Sequence, residues 1–149
     1  MAADIVYLRK EKVLLDTSVY ISQITQGLYL EVIERLISSS VFYLSSVVFE
    51  ELVAGARSDR ELKELHKIKK PFAKTGRMVT PSDNDWEEAG LLMRALVRKG
   101  LMPSSHIAVF SHDVLIALSA RRQGIRVVTA NGKDFEKIRS LKDFKLTVW

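Results

Sequence analysis

The sequence predicts an α/β fold, a three-layer sandwich around a central, mostly parallel sheet of four or five strands. Three observations lead there. Short apolar or β-branched runs at 13–15, 41–44, 125–129 and 145–148 alternate with longer segments of helical periodicity. Helical crossovers of this length join parallel strands right-handedly, which covers both faces of the sheet. With 149 residues, 47% of them hydrophobic, the chain has enough apolar mass for one buried core. No repeat, and no linker rich in Gly, Ser or Pro, interrupts it, so 1–149 is expected to form a single domain.

Taken in order, Val13, Leu14 and Leu15 make a strand that stops at Asp16, where Thr17 and Ser18 are suitable helix starters. A helix follows over 30–38. Val41, Phe42, Tyr43 and Leu44 read as the second strand, and Ser45 and Ser46 cap a helix over 47–56. The charged segment 59–70 is helical, Pro71 is expected to break or bend it, and 77–79 is a short strand. A long amphipathic helix opens at Asp83 or Asn84, places Trp86, Ala89, Leu92, Met93, Leu96 and Val97 on its apolar stripe, and stops at Gly100 and Pro103. Ser111 is expected to open the next helix, which carries Val114, Leu115, Ala117, Leu118 and Ala120 and ends at Gly124. A strand over 125–129, a short helix from the cap Asn131 through Ile138, and a strand at 145–148 complete the chain.

Composition removes several function classes. The chain has no cysteine, so thiol catalysis and disulfide frameworks are excluded, and a reducing cytosol suits it. His66, His106 and His112 have neither HxxxH nor HExxH spacing, which leaves a zinc hydrolase without support. The most apolar stretch, 41–49, is far shorter than the roughly 20 residues of a membrane-spanning helix. The amino terminus, with Asp4, Arg9, Lys10 and Glu11, lacks the apolar region of a signal peptide, and a cytoplasmic protein with no membrane contact is expected. A formal net charge of +5 favours anionic partners. Much of the positive charge lies at Arg57, Arg60, Lys63, Lys67, Lys69, Lys70, Lys74 and Arg77, which suits a solvated helix face and a nucleic-acid surface equally well.

In open parallel sheets, working residues gather beyond the carboxyl ends of the strands. Asp16 directly follows the first strand, and Glu51 lies roughly one and a half turns into the helix after the second. Asn131 and Asp134 follow the 125–129 strand, and Asp113 opens a helix whose apolar side must face the sheet. Each acid alone has an ordinary explanation. Asp16 serves as a helix cap, although Thr17 or Ser18 would do, and an acid abutting a buried strand is costly unless paired or metal-bound. Glu50 and Glu51 are common surface residues pointing about 100° apart, so only one of them can face a site. Asp113 and Asp134 suit the first turn of a helix. The coincidence carries the reading: clustered acids repel and take up protons unless a cation keeps them ionised. Hard oxygen ligands favour Mg²⁺ or Mn²⁺, and phosphodiester hydrolysis is the chemistry such a centre suits.

At these residues the chain resembles PIN-domain ribonucleases, most closely the VapC-like toxins of bacterial and archaeal toxin-antitoxin pairs. VLLDTSVYI (13–21) is similar to the family's opening strand and first aspartate, Asp16. SSVVFEELVAG (45–55) is similar to the second motif, whose glutamate precedes a leucine, and so points to Glu51 before Leu52. HDVLIALSARRQGIRVVTANGKDF (112–135) spans the third and fourth motifs, with Asp113, then Thr129, Asn131 and Asp134 before Phe135. DWEEAGLLMRALVRKG (85–100) is similar to the long middle helix.

The resemblance implies a PIN-like sandwich that cleaves RNA endonucleolytically with Mg²⁺ or Mn²⁺, by attack of an activated water on the phosphate. It implies that Asp16, Glu51 and Asp113 hold the metal, that Asp134 completes or positions the shell, and that Thr17, Thr129 and Asn131 orient water or substrate. Lys63, Lys67, Lys70 and Lys74 would hold the RNA backbone without reading bases. It further implies a homodimer and a cognate antitoxin protein whose tail enters the acidic groove. The chain departs from the pattern at 103–113, read as a loop longer than usual in which His106 and His112 are loop residues.

A catalytically silent PIN-like scaffold that binds RNA or protein is the main alternative, and metal binding separates the two. A phosphoryl-transfer domain of the receiver or haloacid-dehalogenase kind needs a second acid where Ser18 stands. A nucleotide-binding domain needs GxGxxG or GxxxxGK[ST], and neither occurs: Gly132-Lys133 is followed by Asp134.

Overall fold

The computed structural model describes residues 10–27 and 30–149. The segment containing Asp4 and Arg9, read above as carrying no signal peptide, lies outside the described residues. The strands are β1 (Glu11–Leu15), β2 (Ser40–Ser45), β3 (Met78–Val79), β4 (Arg126–Thr129) and β5 (Leu146–Val148). They form one parallel sheet in the order β3-β2-β1-β4-β5. The helices are α1 (Thr17–Gln26), α2 (Leu30–Ser39), α3 (Ser46–Ala54), α4 (Asp59–Lys74), α5 (Asp83–Arg98), α6 (Ile107–Arg122) and α7 (Gly132–Leu141). The chain builds outward from β1 through β2 and β3, then returns to pair β4 on the other side of β1. That reversal opens a crevice between the carboxyl ends of β1 and β4.

Val13, Leu14 and Leu15 are all buried, as a strand covered on both faces requires. Because successive strand residues point to opposite faces, they divide between two cores. Leu14 joins Leu44, Val127 and side chains of α3, α5, α6 and α7 on one side of the sheet. Val13 and Leu15 join Val128 and Val19 of α1 on the other, with Trp149 packed against them. The three layers are the expected ones. Helix α6 is the most enclosed of the helices, buried from Val114 through Ala120. Among the described residues, no helix is long and apolar enough to cross a membrane.

Three local expectations are corrected. Helix α4 does not stop at Pro71 but runs on to Lys74. The turn beyond Pro71 is secured by Thr75, whose N–H and hydroxyl both donate to the Pro71 carbonyl at 3.2 and 2.8 Å, and by Phe72, which packs on the core. Trp86 lies at the edge of the α5 stripe, in the helix's first turn, and is 59% exposed. Helix α6 begins at Ile107 rather than Ser111, preceded by a 3₁₀ turn over Ser104–His106. Buried Phe110 anchors that extra turn, so His112 is a helical residue and not a loop one.

The start of α5 is tied to the end of α6 through a buried carboxylate. Asp85 Oδ2 accepts from the Ser82 N–H at 2.8 Å and from Arg122 Nε at 3.0 Å, while Ser82 Oγ accepts from the Asp85 N–H at 3.2 Å. Arg122 also donates to the Thr80 carbonyl at 3.0 Å. Asp85→Ala removes a cap and leaves the guanidinium short of its acceptor, so it should lower unfolding free energy by about 2 kcal/mol. Urea denaturation checks this, and an unshifted midpoint would deny the network any net stabilising role.

Candidate active site

The crevice between β1 and β4 is where the acids gather. Asp16 is the first residue beyond β1, and its N–H continues the ladder by donating to the Val128 carbonyl at 2.8 Å. It occupies the cap position of α1 without a side-chain capping bond, although the Thr17 N–H at the start of the helix helps offset the cost of burying its charge. Its side chain is 3% exposed. Asp16 Oδ2 accepts from the hydroxyls of Ser18 at 2.8 Å and Thr129 at 2.9 Å. Each hydroxyl in turn accepts a main-chain N–H from the β4–α7 connection, Ser18 from Ala130 at 3.1 Å and Thr129 from Asn131 at 2.9 Å. Two parallel relays therefore tie the carboxylate to the β4–α7 connection, one through α1 and one through the end of β4. Burial still holds its pKa above the ordinary aspartate value, because desolvation outweighs the donated hydrogen bonds.

Helix α3 leaves the end of β2 with Ser45 Oγ accepting from the N–H groups of Val47 and Val48. That start turns Glu51 toward the crevice. One oxygen of Glu51 accepts from the Thr17 hydroxyl, and the other lies 3.0 Å from His112 Nδ1. Its neighbour Glu50 is 61% exposed and reaches only within 3.9 Å of the same imidazole.

Helix α6 runs back toward the rim, and its early start places Asp113 in the second turn. Asp113 is pushed up to about 8, first by burial and then by repulsion from Asp16, Asp134 and Glu51. Four carboxyl groups from four elements thus share one electrostatic neighbourhood. Asp134, in the first turn of α7, accepts from the Asn131 side-chain amide at 3.0 Å and lies 3.8 Å from Lys137 Nζ. Asn131 does not cap α7 with its side chain as expected, because that amide is directed to Asp134.

These positions recast several roles. Thr129, expected to orient water or substrate, is fully buried, where its hydroxyl donates to Asp16, accepts from the Asn131 N–H and lies 3.3 Å from the Ser18 hydroxyl. The Thr17 hydroxyl is engaged by Glu51. Sequence reading missed Ser18 and His112 as site residues. The apolar spacing Ile107, Phe110, Val114 and Ala117 runs back past Ser111 and is the signal from which His112 could have been placed on a helix.

Lys63, Lys67, Lys70 and Lys74 are all exposed on one face of α4, and Lys67 pairs with Glu64 at 2.7 Å. Helix α4 packs beside α3, where His66 meets Phe49 edge-on at 5.9 Å between centroids and Lys69 Nζ lies 4.9 Å from the same ring.

As a cation site the arrangement is open. Among the described residues, no three or more acidic or imidazole side chains lie close enough together to form a set that could hold a metal ion. The donor chemistry nonetheless fits a hard, hydrated ion. Carboxylate oxygens dominate, and the elevated Asp113 marks negative charge that a cation would relieve. Mg²⁺ is often held by one or two carboxylates and keeps several waters, so some of these acids would meet it through water.

No curated protein sequence matches this chain. Solved structures of similar fold include DNA-bound VapBC from Salmonella typhimurium, at 24% identity and a TM-score of 0.66 over 93% of this chain and 98% of that one. VapBC-1 from nontypeable Haemophilus influenzae is similar at 18% identity and a TM-score of 0.68, over 92% of this chain and 97% of that one. FitAcB from Neisseria gonorrhoeae is similar at 22% identity and a TM-score of 0.64, covering 90% and 95% of the two chains. The family model described as PIN domain matches residues 13–141, which takes in every acid of the crevice, and the chain belongs to that family.

Proposed function

We propose that the chain is a metal-dependent endoribonuclease whose site is the acidic crevice, acting as one domain over 1–149. The observation that carries this reading is Asp113, held near pKa 8 by burial and by the three other acids around it. A purely structural site would gain from neutral side chains there, since clustered buried carboxyls are costly. The proposed ligands of Mg²⁺ or Mn²⁺ are Asp16, Glu51 and Asp113, with Asp134 completing or orienting the set beside Asn131. When bound, the cation supplies charge for the phosphate and lowers the pKa of water.

The remaining work falls to the chain's own groups. Ser18 and Thr129 hold Asp16 in one orientation, Thr17 holds Glu51, and Asn131 aligns Asp134 at the mouth of the crevice. Lys63, Lys67, Lys70 and Lys74 would attract the RNA backbone from the neighbouring helix without selecting bases. The likeness in fold to VapBC and FitAcB supports a toxin role with a cognate antitoxin protein as partner. A homodimer is proposed from the family resemblance of the motifs, and a cytoplasmic location from the absence of cysteine.

Purified chain incubated with single-stranded RNA should produce internal cuts with Mg²⁺ or Mn²⁺ and none after chelation. Cleavage unaffected by chelation would remove the metal from the reading, and RNA binding without any cleavage would favour the silent scaffold.

A further inference from the structure

His112 reaches into the crevice beside Glu51, and the proposed chemistry gives it no role. It precedes Asp113 on α6, and neighbouring helical positions diverge by about 100°. Asp113 thereby faces the other acids while His112 faces α3. Its Nδ1 lies 3.0 Å from one Glu51 oxygen, and the Thr17 hydroxyl occupies the other. An ionised Glu51 only accepts hydrogen bonds, and toward it the imidazole donates from Nδ1. Glu51 is then gripped at both oxygens, by α1 on one side and by α6 on the other.

Such a grip matters for a long side chain. Glutamate has three torsions, and a cation that had to order them itself would bind more weakly than one offered a fixed carboxylate. Glu51 is 27% exposed at the mouth of the crevice, so packing alone leaves it freedom to turn toward water. We propose that His112 is a positioning residue, which holds the Glu51 carboxylate in place for a divalent cation through an Nδ1–H donor. This rests on the nuclease reading and adds to it a residue outside the acidic set.

The test uses Mn²⁺ alone as the probe, with affinity measured by calorimetry and by the paramagnetic signal of free ion. His112→Ala should weaken Mn²⁺ binding roughly tenfold, the scale seen when a group that orients a metal ligand is removed. The Mn²⁺ concentration giving half-maximal RNA cleavage should rise by a similar factor, while the rate at saturating Mn²⁺ largely recovers. His112→Asn places an amide N–H where Nδ1 stands and should restore affinity; His112→Gln, whose amide reaches the Nε2 position, should not. In the metal-free chain, the imidazole nitrogen spectrum should show a proton on Nδ1 whose signal shifts in Glu51→Gln. Should His112→Ala fail to fold, the Asn and Gln variants and the nitrogen spectrum decide. A wild-type chain that neither binds Mn²⁺ nor cuts RNA overturns the nuclease reading and this inference with it. A wild type that does both, while His112→Ala matches it in affinity and in Mn²⁺ requirement, overturns the inference alone.

Discussion

Asp16→Asn should abolish metal-dependent RNA cleavage, by at least a few hundredfold, on the scale that loss of one preorganised electrostatic group costs an enzyme, while leaving the fold intact. The geometry explains why the two effects separate. The carbonyl oxygen of the substituted amide can occupy the Oδ2 position and keep both hydroxyl donors, Ser18 and Thr129, so the relays to Ala130 and Asn131 survive. What disappears is a buried negative charge, whose desolvation already opposes ionisation. The variant should therefore melt at the wild-type temperature or above it. A third readout is internal to the site: Asp16 is the strongest of the charges raising Asp113, so carboxyl titration by ¹³C NMR should show Asp113 ionising at lower pH in the variant. Unchanged Mg²⁺-dependent cleavage by Asp16→Asn would remove the crevice as the site. Lost cleavage together with lost cooperativity of unfolding would make Asp16 a structural residue.

What could be read from residue order alone was whatever has a short period. Val13, Leu14 and Leu15 end abruptly at an acid, and the same pattern of apolar run, then polar helix start, recurs at Ser45 and Thr129. Placing those ends on one rim needs only the parallel topology. Contacts that cross the chain left no such trace. The Ser18 and Thr129 hydroxyls meet at Asp16 from opposite ends of the sequence, and nothing in either segment marks the pairing. Choosing between Glu50 and Glu51 was likewise beyond periodicity; the motif pointed to Glu51, and the fold has Glu51 between Thr17 and His112 with Glu50 turned outward. The late start assigned to α6 came from trusting caps. His106 occupies the cap position with no side-chain bond, so the helix begins without the usual polar marker, and its stability comes from Phe110 in the core. That error hid His112. Pro71 misled in the opposite way, since a breaker near a helix end costs little when the following turn has other partners.

Without divalent cations, the protein should lose stability as pH rises from about 4 to 8, and Mg²⁺ should reverse the loss. Asp113 ionises at 3.8 in an unstructured chain and at about 8 in the folded one. Between these values the folded state holds a proton that the unfolded chain has released, so folding takes one up and raising pH opposes it. The contribution is complete below the unfolded value and gone once pH passes the folded one. At about 1.4 kcal/mol for each pH unit over which the proton is held, it amounts to a few kcal/mol. A cation inverts the sign, because it binds the ionised carboxyl and must expel that proton. Mg²⁺ affinity should therefore climb up to roughly tenfold per pH unit below about 8 and level off above it. Calorimetry in buffers of different ionisation enthalpy should register about one proton released per Mg²⁺ near pH 6.5, falling toward none by pH 9. Asp113→Asn should flatten both the stability profile and the affinity profile, raise the stability of the metal-free protein at neutral pH, and destroy cleavage. A Mg²⁺ affinity that does not change from pH 6 to 9 in the wild type would mean that Asp113 is not among the groups that meet the ion.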